Sequence, residues 1–310
     1  MANDNQHGKA SHIGQIIGEA FENVVIKFIK SYLKKNHAEY VILDPGQGKK
    51  LLTLNMPGGI KRQLDTVVAA RNSDDPIALL ETKWLKDGRH WNDKGAWILQ
   101  LREVRRNYPT VRGAAAILAG FWNEGFRVLL RNQGGGIDMI LVATDEEIYK
   151  SLQPHLDKAL GNKSFELNAK QIRGRFPEGH VEVFDDFLIQ YRDSGELYKL
   201  AKTWLNFGRA IESNDETVDG KILIQKALDA LLKPLPESPK VSNFEITLEI
   251  ETGNLIHKSF KDLEELLDFI NTHAQDPAKI RELISPKKRK RRIGEQTGVY
   301  DADTNDDDDW

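Results

Sequence analysis

The chain has 310 residues, of which 40% are hydrophobic and 29% charged, with a formal net charge of −3 and no cysteine. This length can bury a sizeable core and suggests two domains, or one domain with an appendage. The lack of cysteine excludes disulfides, thiolate zinc sites and cysteine nucleophiles. No apolar run approaches the roughly 20 residues that span a bilayer, and the polar start contains no signal segment. We therefore expect an intracellular, cytoplasmic protein that does not enter a membrane.

The predicted elements begin with a helix. Apolar residues recur at helical spacing from Ile13 to Tyr32, and Ser11 is a plausible N-cap. A strand, AEYVILD at residues 38–44, follows. The Gly-rich turn after this strand does not have the spacing of a phosphate-binding P-loop.

Strands and helices then alternate along the chain. The sequence predicts two strands, an amphipathic helix and two apolar runs typical of strands that are covered on both faces: GIKRQLDTVVAA (59–70), IALLETKWL (77–85), DKGAWILQLREVRRNY (93–108), GAAAILAGFW (113–122) and IDMILVAT (137–144). The coarse order is helix, three strands, helix, strand and a further strand. This order predicts an α/β fold with a mixed sheet over residues 1–150.

The second half of the chain has a different composition. Residues 151–235 are predicted to be a mostly helical region for target recognition or dimerisation. Residues 236–284 predict a small ββα appendage, with two strands around a tight turn and a helix after them. Residues 285–310 join a run of six basic residues to an acidic end, which is typical of a disordered tail.

Charge is distributed unevenly. Between Ile60 and Arg131 there are thirteen Lys and Arg but only eight Asp and Glu, whereas the rest of the chain has 31 basic and 39 acidic residues. A basic excess beside a candidate site is what a polyanion-binding face needs. The alternative is that these charges only solvate the surface.

The residues that suggest chemistry lie on two neighbouring predicted strands. Glu81 and Lys83 are two residues apart, so their side chains project from the same face of a strand. If the strand that contains Asp65 pairs with this one, Asp65 and Glu81 can converge on one Mg²⁺ ion, and Lys83 can assist the attacking water. The alternative is a solvated Glu–Lys pair at a strand end, which is more common for the E-x-K pattern taken alone.

The same residues and element order suggest a family. Asp65 on the second strand and Glu81-Thr82-Lys83 on the third resemble the PD-(D/E)XK nuclease superfamily, which includes most type II restriction endonucleases. The segment GEAFENVV of the first helix is similar to the G-x-x-F-E pattern of Mrr-type restriction nucleases. The resemblance covers about residues 11–145, and Leu64 stands where the superfamily name places proline. It implies a restriction-endonuclease-like αβββαβ core with a mixed sheet.

The resemblance also implies a metal site. Asp65, Glu81 and the backbone carbonyl of Thr82 would bind Mg²⁺, or alternatively Mn²⁺, and the family often places a glutamate of the first helix near the metal. At 100° per residue Glu22 lies at the edge of the apolar stripe and Glu19 lies nearly opposite it. We therefore prefer Glu22, with an ordinary surface carboxylate as the alternative.

Other polar residues near this site are candidates for contacts with DNA. Gln100 lies where some members of the family carry a glutamine near the site, and basic side chains there would contact phosphates. A solvated helix face is the alternative for each of them. The candidates are Lys86, Arg89, His90, Lys94, Gln100, Arg102, Arg105 and Arg106.

The predicted function is that of a Mg²⁺-dependent endodeoxyribonuclease, a type II restriction endonuclease in defence against foreign DNA. By analogy with the fold, it would act on double-stranded DNA as a homodimer, and a cognate DNA methyltransferase could be encoded nearby. Three alternatives stay open. They are a structure-specific repair or recombination nuclease, a nuclease-like DNA-binding module without cleavage, and an RNA nuclease.

Overall fold

The computed structural model describes residues 2–43, 52–88, 91–122, 137–174, 179–210, 218–234, 244–249 and 255–274. The chain divides into two compact units, Met1–Leu235 and Pro236–Trp310. The end that we expected for the core at residue 150 lies inside the first unit, because the helices after it share one hydrophobic core with the sheet. The predicted tail, residues 285–310, lies outside the described residues.

The described part of the first unit contains helices α1 to α7 and strands β1 to β8. The helices are α1 (Ala2–Asn36), α2 (Trp91–Asn107), α3 (Asp145–Leu160), α4 (Ala169–Gly174), α5 (His180–Asp193), α6 (Glu196–Trp204) and α7 (Gly220–Leu232). The strands are β1 (Tyr40–Ile42), β2 (Leu52–Asn55), β3 (Lys61–Leu64), β4 (Thr66–Ala70), β5 (Pro76–Leu85), β6 (Gly113–Gly120), β7 (Ile137–Ala143) and β8 (Arg209–Ala210). None of the described helices is both long and apolar enough to cross a membrane.

Six strands form the central sheet in the order β1-β4-β5-β6-β7-β8. Strand β4 is antiparallel to β1 and β5, whereas β5, β6 and β7 run parallel and β8 is antiparallel to β7. Strands β2 and β3 form a separate antiparallel hairpin between β1 and β4 in the chain. The predicted α/β fold with a mixed sheet is therefore confirmed.

The sheet has a hydrophobic layer on each face. Helix α1 and the helices after β7 pack on one face, and α2 packs on the other. Side chains alternate between the faces along β5, so Leu80 belongs to the core around α1 and Leu79 to the core around α2. Glu81 and Lys83 follow Leu79 at intervals of two and point toward the α2 layer.

Two predicted boundaries were wrong. Helix α1 begins at Ala2, so Ser11 lies inside it and is not its N-cap; no proline precedes Ser11 to stop the helix. The strand predicted over residues 59–70 is two strands, β3 and β4, separated by a bend at Asp65. The last pair of the β4–β5 ladder is Thr66 opposite Leu80, and β3 then leaves the central sheet to pair with β2.

The described part of the second unit has a ββα arrangement. Strands β9 (Phe244–Glu249) and β10 (Leu255–Phe260) form an antiparallel pair, and helix α8 (Leu263–Phe269) follows. Asp262 caps this helix by accepting a hydrogen bond from the Glu265 backbone N–H at 2.8 Å. Phe269 is buried, and its ring packs on that of Phe260 at a centroid distance of 5.1 Å.

The end of β6 requires glycine. Gly120 has φ = 94°, and a Cβ atom there would lie 2.1 Å from the carbonyl oxygen of Leu85 and 2.8 Å from the Trp84 ring. The next residue, Phe121, donates its N–H to that same Leu85 carbonyl at 2.8 Å. This close approach joins the end of β6 to the end of β5, four residues beyond Glu81.

We predict that Gly120→Ala lowers the free energy of unfolding of the first unit by about 3 kcal/mol or more, because backbone strain and a backbone clash add. Gly195→Ala is the matched control. Gly195 lies in the left-handed region (φ = 76°), but a Cβ atom there would have no neighbour within 4 Å among the described residues. The control should cost only about 1 to 2 kcal/mol. Urea unfolding followed by circular dichroism measures both values, and equal costs would contradict the close approach.

Candidate functional site

The bend at Asp65 opens the sheet beside the middle of β5. On the N-terminal side of Thr66 the backbone no longer pairs with β5. There the Asp65 side chain bonds to β5 in place of the backbone. Its Oδ2 accepts a hydrogen bond from the backbone N–H of Thr82 at 2.9 Å. A carboxylate bound to the main chain of the strand has a fixed position, so Asp65 is held directly opposite Glu81 and Lys83.

Lys83 joins the two carboxylates. Its ammonium lies 2.7 Å from Asp65 Oδ2 and 2.8 Å from Glu81 Oε1. The Glu81 side chain is 0% exposed, and those of Asp65 and Lys83 are 6% and 15% exposed. Asp65, Glu81 and Lys83 therefore come together in one nearly buried cluster, which rules out the solvated Glu–Lys pair that the E-x-K pattern alone would favour.

Arg62, which the sequence motifs did not single out, is a fourth member of the cluster. It lies on β3, is 3% exposed, and donates from Nη2 to Glu81 Oε1 at 3.0 Å. The Trp97 ring of α2 lies under the guanidinium at 4.4 Å from its centre. The available signal was the alternation in KRQL, which puts Arg62 on the same buried face as Leu64.

Glu22 approaches the cluster from α1, on the other face of the sheet. The pKa of its carboxyl is raised to about 7, mainly by burial and also by the Asp65 and Glu81 charges, whereas Lys83 acts to lower it. Asp65, Glu81 and Lys83 therefore lie within electrostatic range of Glu22. Glu19, the rejected alternative, is exposed on the same helix.

The cluster balances two basic side chains against carboxylates. Burial and the nearby Asp65 charge raise the pKa of Glu81, whereas Lys83 and Arg62 act to lower it. Burial alone would lower the pKa of Lys83, but Glu81 and Asp65 outweigh burial, so the pKa of Lys83 is raised. Lys83 consequently keeps its proton at neutral pH.

The donor atoms suit a small divalent cation. Among the residues that the structure describes, no three His, Asp or Glu side chains form a group that could hold a metal ion. Mg²⁺, however, keeps several waters and needs only one or two protein carboxylates. Glu81 Oε2 is buried without a hydrogen-bond partner within the described chain, so an oxygen ligand is present beside Asp65.

The Thr82 carbonyl faces the same opening. In a strand the N–H and C=O groups of one residue point toward the same neighbouring strand. Because the Thr82 N–H points to Asp65, its carbonyl also lies on the side where the β4 ladder has ended. This placement agrees with the geometry that a backbone ligand would need.

The residues predicted to contact DNA lie in different parts of the structure. Lys94 and Gln100 are half-buried on the part of α2 that contains Trp97, and so lie on the part of the helix next to Arg62. Lys86 Nζ lies 3.6 Å from Asp87 Oδ2 just after β5. Arg89 and His90 lie outside the described residues.

The remaining candidates lie toward the other end of α2. Arg106 forms a surface ion pair with Glu103 at 3.1 Å, and the next residue, Asn107, donates to the Asn55 carbonyl of β2 at 3.2 Å. At 1.5 Å per residue, Arg106 is about 13 Å along the helix axis from Trp97. Arg102 and Arg105 occupy the intervening turns and are half-buried.

Comparisons of the chain with protein-family models, curated proteins and solved structures find no match. The chemistry of the site is therefore inferred from its own side chains. These are two carboxylates on one ammonium, a buried arginine, and a glutamate whose pKa lies near neutrality.

The raised pKa of Glu22 predicts a pH-dependent stability. A carboxyl whose pKa is higher in the folded than in the unfolded protein stabilises the fold at pH values below the unfolded-state pKa. This contribution is lost as the pH rises through the folded-state pKa of about 7. In the presence of EDTA, Glu22→Gln should match the wild type near pH 4.5. At pH 8 it should be more stable by about 1 to 2 kcal/mol, a value reduced because solvent screens a half-buried group.

Urea unfolding of both proteins across this pH range measures the difference. Glu166→Gln is the control, since Glu166 is exposed, and its difference from the wild type should be the same at both ends of the range. A Glu22→Gln difference that does not change with pH would show that the pKa of Glu22 is not raised in the folded protein.

Proposed function

We propose that the protein is a Mg²⁺-dependent endonuclease that hydrolyses DNA phosphodiester bonds. The observation that carries this proposal is the convergence of Asp65 and Glu81 on the Lys83 ammonium, at 2.7 and 2.8 Å, where the sheet opens. Two carboxylates can hold a metal ion that activates water, and a protonated lysine can stabilise the charge that develops during phosphodiester hydrolysis. Glu81 Oε2, buried with no hydrogen-bond partner among the described residues, supports a bound cation.

The element order supports a restriction-endonuclease-like core. In chain order α1, β1, β4, β5, α2 and β6 follow the αβββαβ pattern that the resemblance implies, with the β2–β3 hairpin inserted after the first strand. Asp65 immediately precedes the second of these strands and Glu81 lies in the third. This placement of Asp65 and Glu81 on the strands supports the proposed resemblance to the PD-(D/E)XK superfamily.

Each residue has a distinct role in this proposal. Asp65, Glu81 and the Thr82 carbonyl would hold Mg²⁺ or Mn²⁺. The ion, when bound, would neutralise the scissile phosphate and lower the pKa of a water ligand. Lys83 keeps its proton, so it orients water or stabilises charge by donating hydrogen bonds and does not act as the base.

Glu22 supplies the group that exchanges a proton. With a pKa of about 7 its carboxyl can take up or release a proton at neutral pH, as a general acid or base requires. Lys94, half-buried on the part of α2 next to Arg62, is a described basic candidate for a phosphate contact. A role in restriction of foreign DNA, action as a homodimer on double-stranded DNA and a cognate methyltransferase follow from the family resemblance.

The test is cleavage of supercoiled plasmid by the purified full-length chain, with Mg²⁺ or with EDTA. We expect discrete Mg²⁺-dependent fragments, and at least a roughly 100-fold lower rate for Lys83→Ala, since a group that stabilises developing charge is lost. Lys199→Ala is the matched control, because Lys199 is 68% exposed on α6 and pairs with nearby Glu196. Circular dichroism confirms that each variant is folded.

The outcomes separate the alternatives. Cleavage of branched DNA but not of plasmid would favour a structure-specific nuclease, and cleavage of RNA alone would favour a ribonuclease. Absence of cleavage of all three substrates by the folded wild type would overturn the enzyme proposal and leave a DNA-binding module.

A further inference from the structure

Arg62 is a cation of the cluster that belongs neither to the E-x-K motif nor to the predicted site. Its side chain is 4% exposed and that of Glu81 is 0% exposed, and Nη2 donates to Glu81 Oε1 at 3.0 Å. A buried arginine next to a buried glutamate has two explanations. It either only neutralises the charge, or it also sets the orientation of the carboxylate.

The two carboxylate oxygens of Glu81 differ in their hydrogen bonds. Oε1 accepts from both Arg62 and Lys83, at 3.0 and 2.8 Å, whereas Oε2 has no hydrogen-bond partner among the described residues although it is buried. An unpaired buried carboxylate oxygen is costly, and such atoms in folded proteins call for an explanation. A cation ligand at Oε2 explains it.

Arg62 is itself fixed on several sides. Its Nη2 also donates to the Trp97 carbonyl at 3.3 Å, its Nη1 donates to the Gln63 carbonyl, and its guanidinium stacks on the Trp97 ring at 4.4 Å. The backbones of β3 and α2 therefore determine where the guanidinium lies. Lysine carries the same charge but has no planar fork that could reach these acceptors together.

We propose that Arg62 is a positioning residue that holds Glu81 by Oε1 and so directs Oε2 toward the divalent cation. The inference rests on the proposed function, since it assigns the metal-binding oxygen of the same site. Lys83 alone would not fix this orientation, because its flexible ammonium is shared with Asp65. Arg62 acts through Glu81 and does not touch the reacting atoms.

The test uses Mn²⁺ alone as the probe, titrated into the full-length chain while free Mn²⁺ is followed by electron paramagnetic resonance. The wild type should bind Mn²⁺ and Glu81→Gln should not. Arg62→Lys should weaken binding about 10-fold or more, the range typical when a residue that orients a metal ligand is lost. Arg192→Lys, an identical change at an exposed ion pair of α5, should bind like the wild type.

A second readout is the Mg²⁺ dependence of plasmid cleavage. Arg62→Lys should raise the half-saturating Mg²⁺ concentration by a factor similar to its loss of Mn²⁺ affinity, while the rate at saturating Mg²⁺ falls less. A residue that only stabilises the fold would lower the urea midpoint and leave the Mn²⁺ affinity of the folded protein unchanged. That result would overturn the inference.

Trp97→Leu provides an independent variant in case Arg62→Lys does not fold. Trp97 is 45% exposed, so this change removes the ring that supports Arg62 with little loss of core. It should weaken Mn²⁺ binding less than Arg62→Lys does, and unchanged affinity would contradict the inference. If the wild type shows no Glu81-dependent Mn²⁺ binding, the proposed function itself fails, and the inference fails with it.

Discussion

The site depends on the point at which the β4–β5 ladder ends. Thr66 opposite Leu80 is the last backbone pair, and at the next position the Asp65 carboxylate, in place of a carbonyl, accepts the N–H of β5. This exchange satisfies the Thr82 donor while it brings a charge to the strand that carries Glu81 and Lys83. It also frees β3 to turn away and present Arg62 from another direction.

The resulting cluster is stable only as a unit. Buried ions are costly to remove from water, and breaking a buried pair by deleting one partner typically costs about 3 to 5 kcal/mol. Here Lys83 contacts both Asp65 and Glu81, and Arg62 contacts Glu81, so each carboxylate has a cation within 3.0 Å. Glu22 adds a further carboxyl whose pKa is raised to about 7 by burial and these neighbours. The molecule therefore keeps several charged groups together in its interior, and the pKa values of Glu22, Glu81 and Lys83 are raised there.

Much of this arrangement could be predicted from the sequence. The spacing of Glu81 and Lys83 places both on one strand face, and the helical angle separates Glu22 from Glu19. The bend at Asp65 could not be predicted, because QLDT contains no glycine or proline and only the competition between backbone and side-chain acceptors decides it. The packing of the helices after residue 150 against the sheet could not be predicted, because it is a long-range contact that no local pattern encodes.

The role of Arg62 in the cluster could not be predicted from the sequence either. Its alternation with Leu64 indicated an inward position, but an arginine in a polar stretch usually lies on the surface. Its partners Glu81 and Trp97 are 19 and 35 residues away along the chain, so only the folded structure brings them together.

The proposed metal ligands can be tested most directly by diffraction from crystals of the full-length protein grown with Mn²⁺, with data collected for the anomalous signal of manganese. The proposal predicts an anomalous peak at roughly 2.0 to 2.3 Å from Glu81 Oε2 and an Asp65 oxygen, the range of carboxylate–metal distances. No peak between these two carboxylates at saturating Mn²⁺, or a peak elsewhere in the molecule, would contradict it.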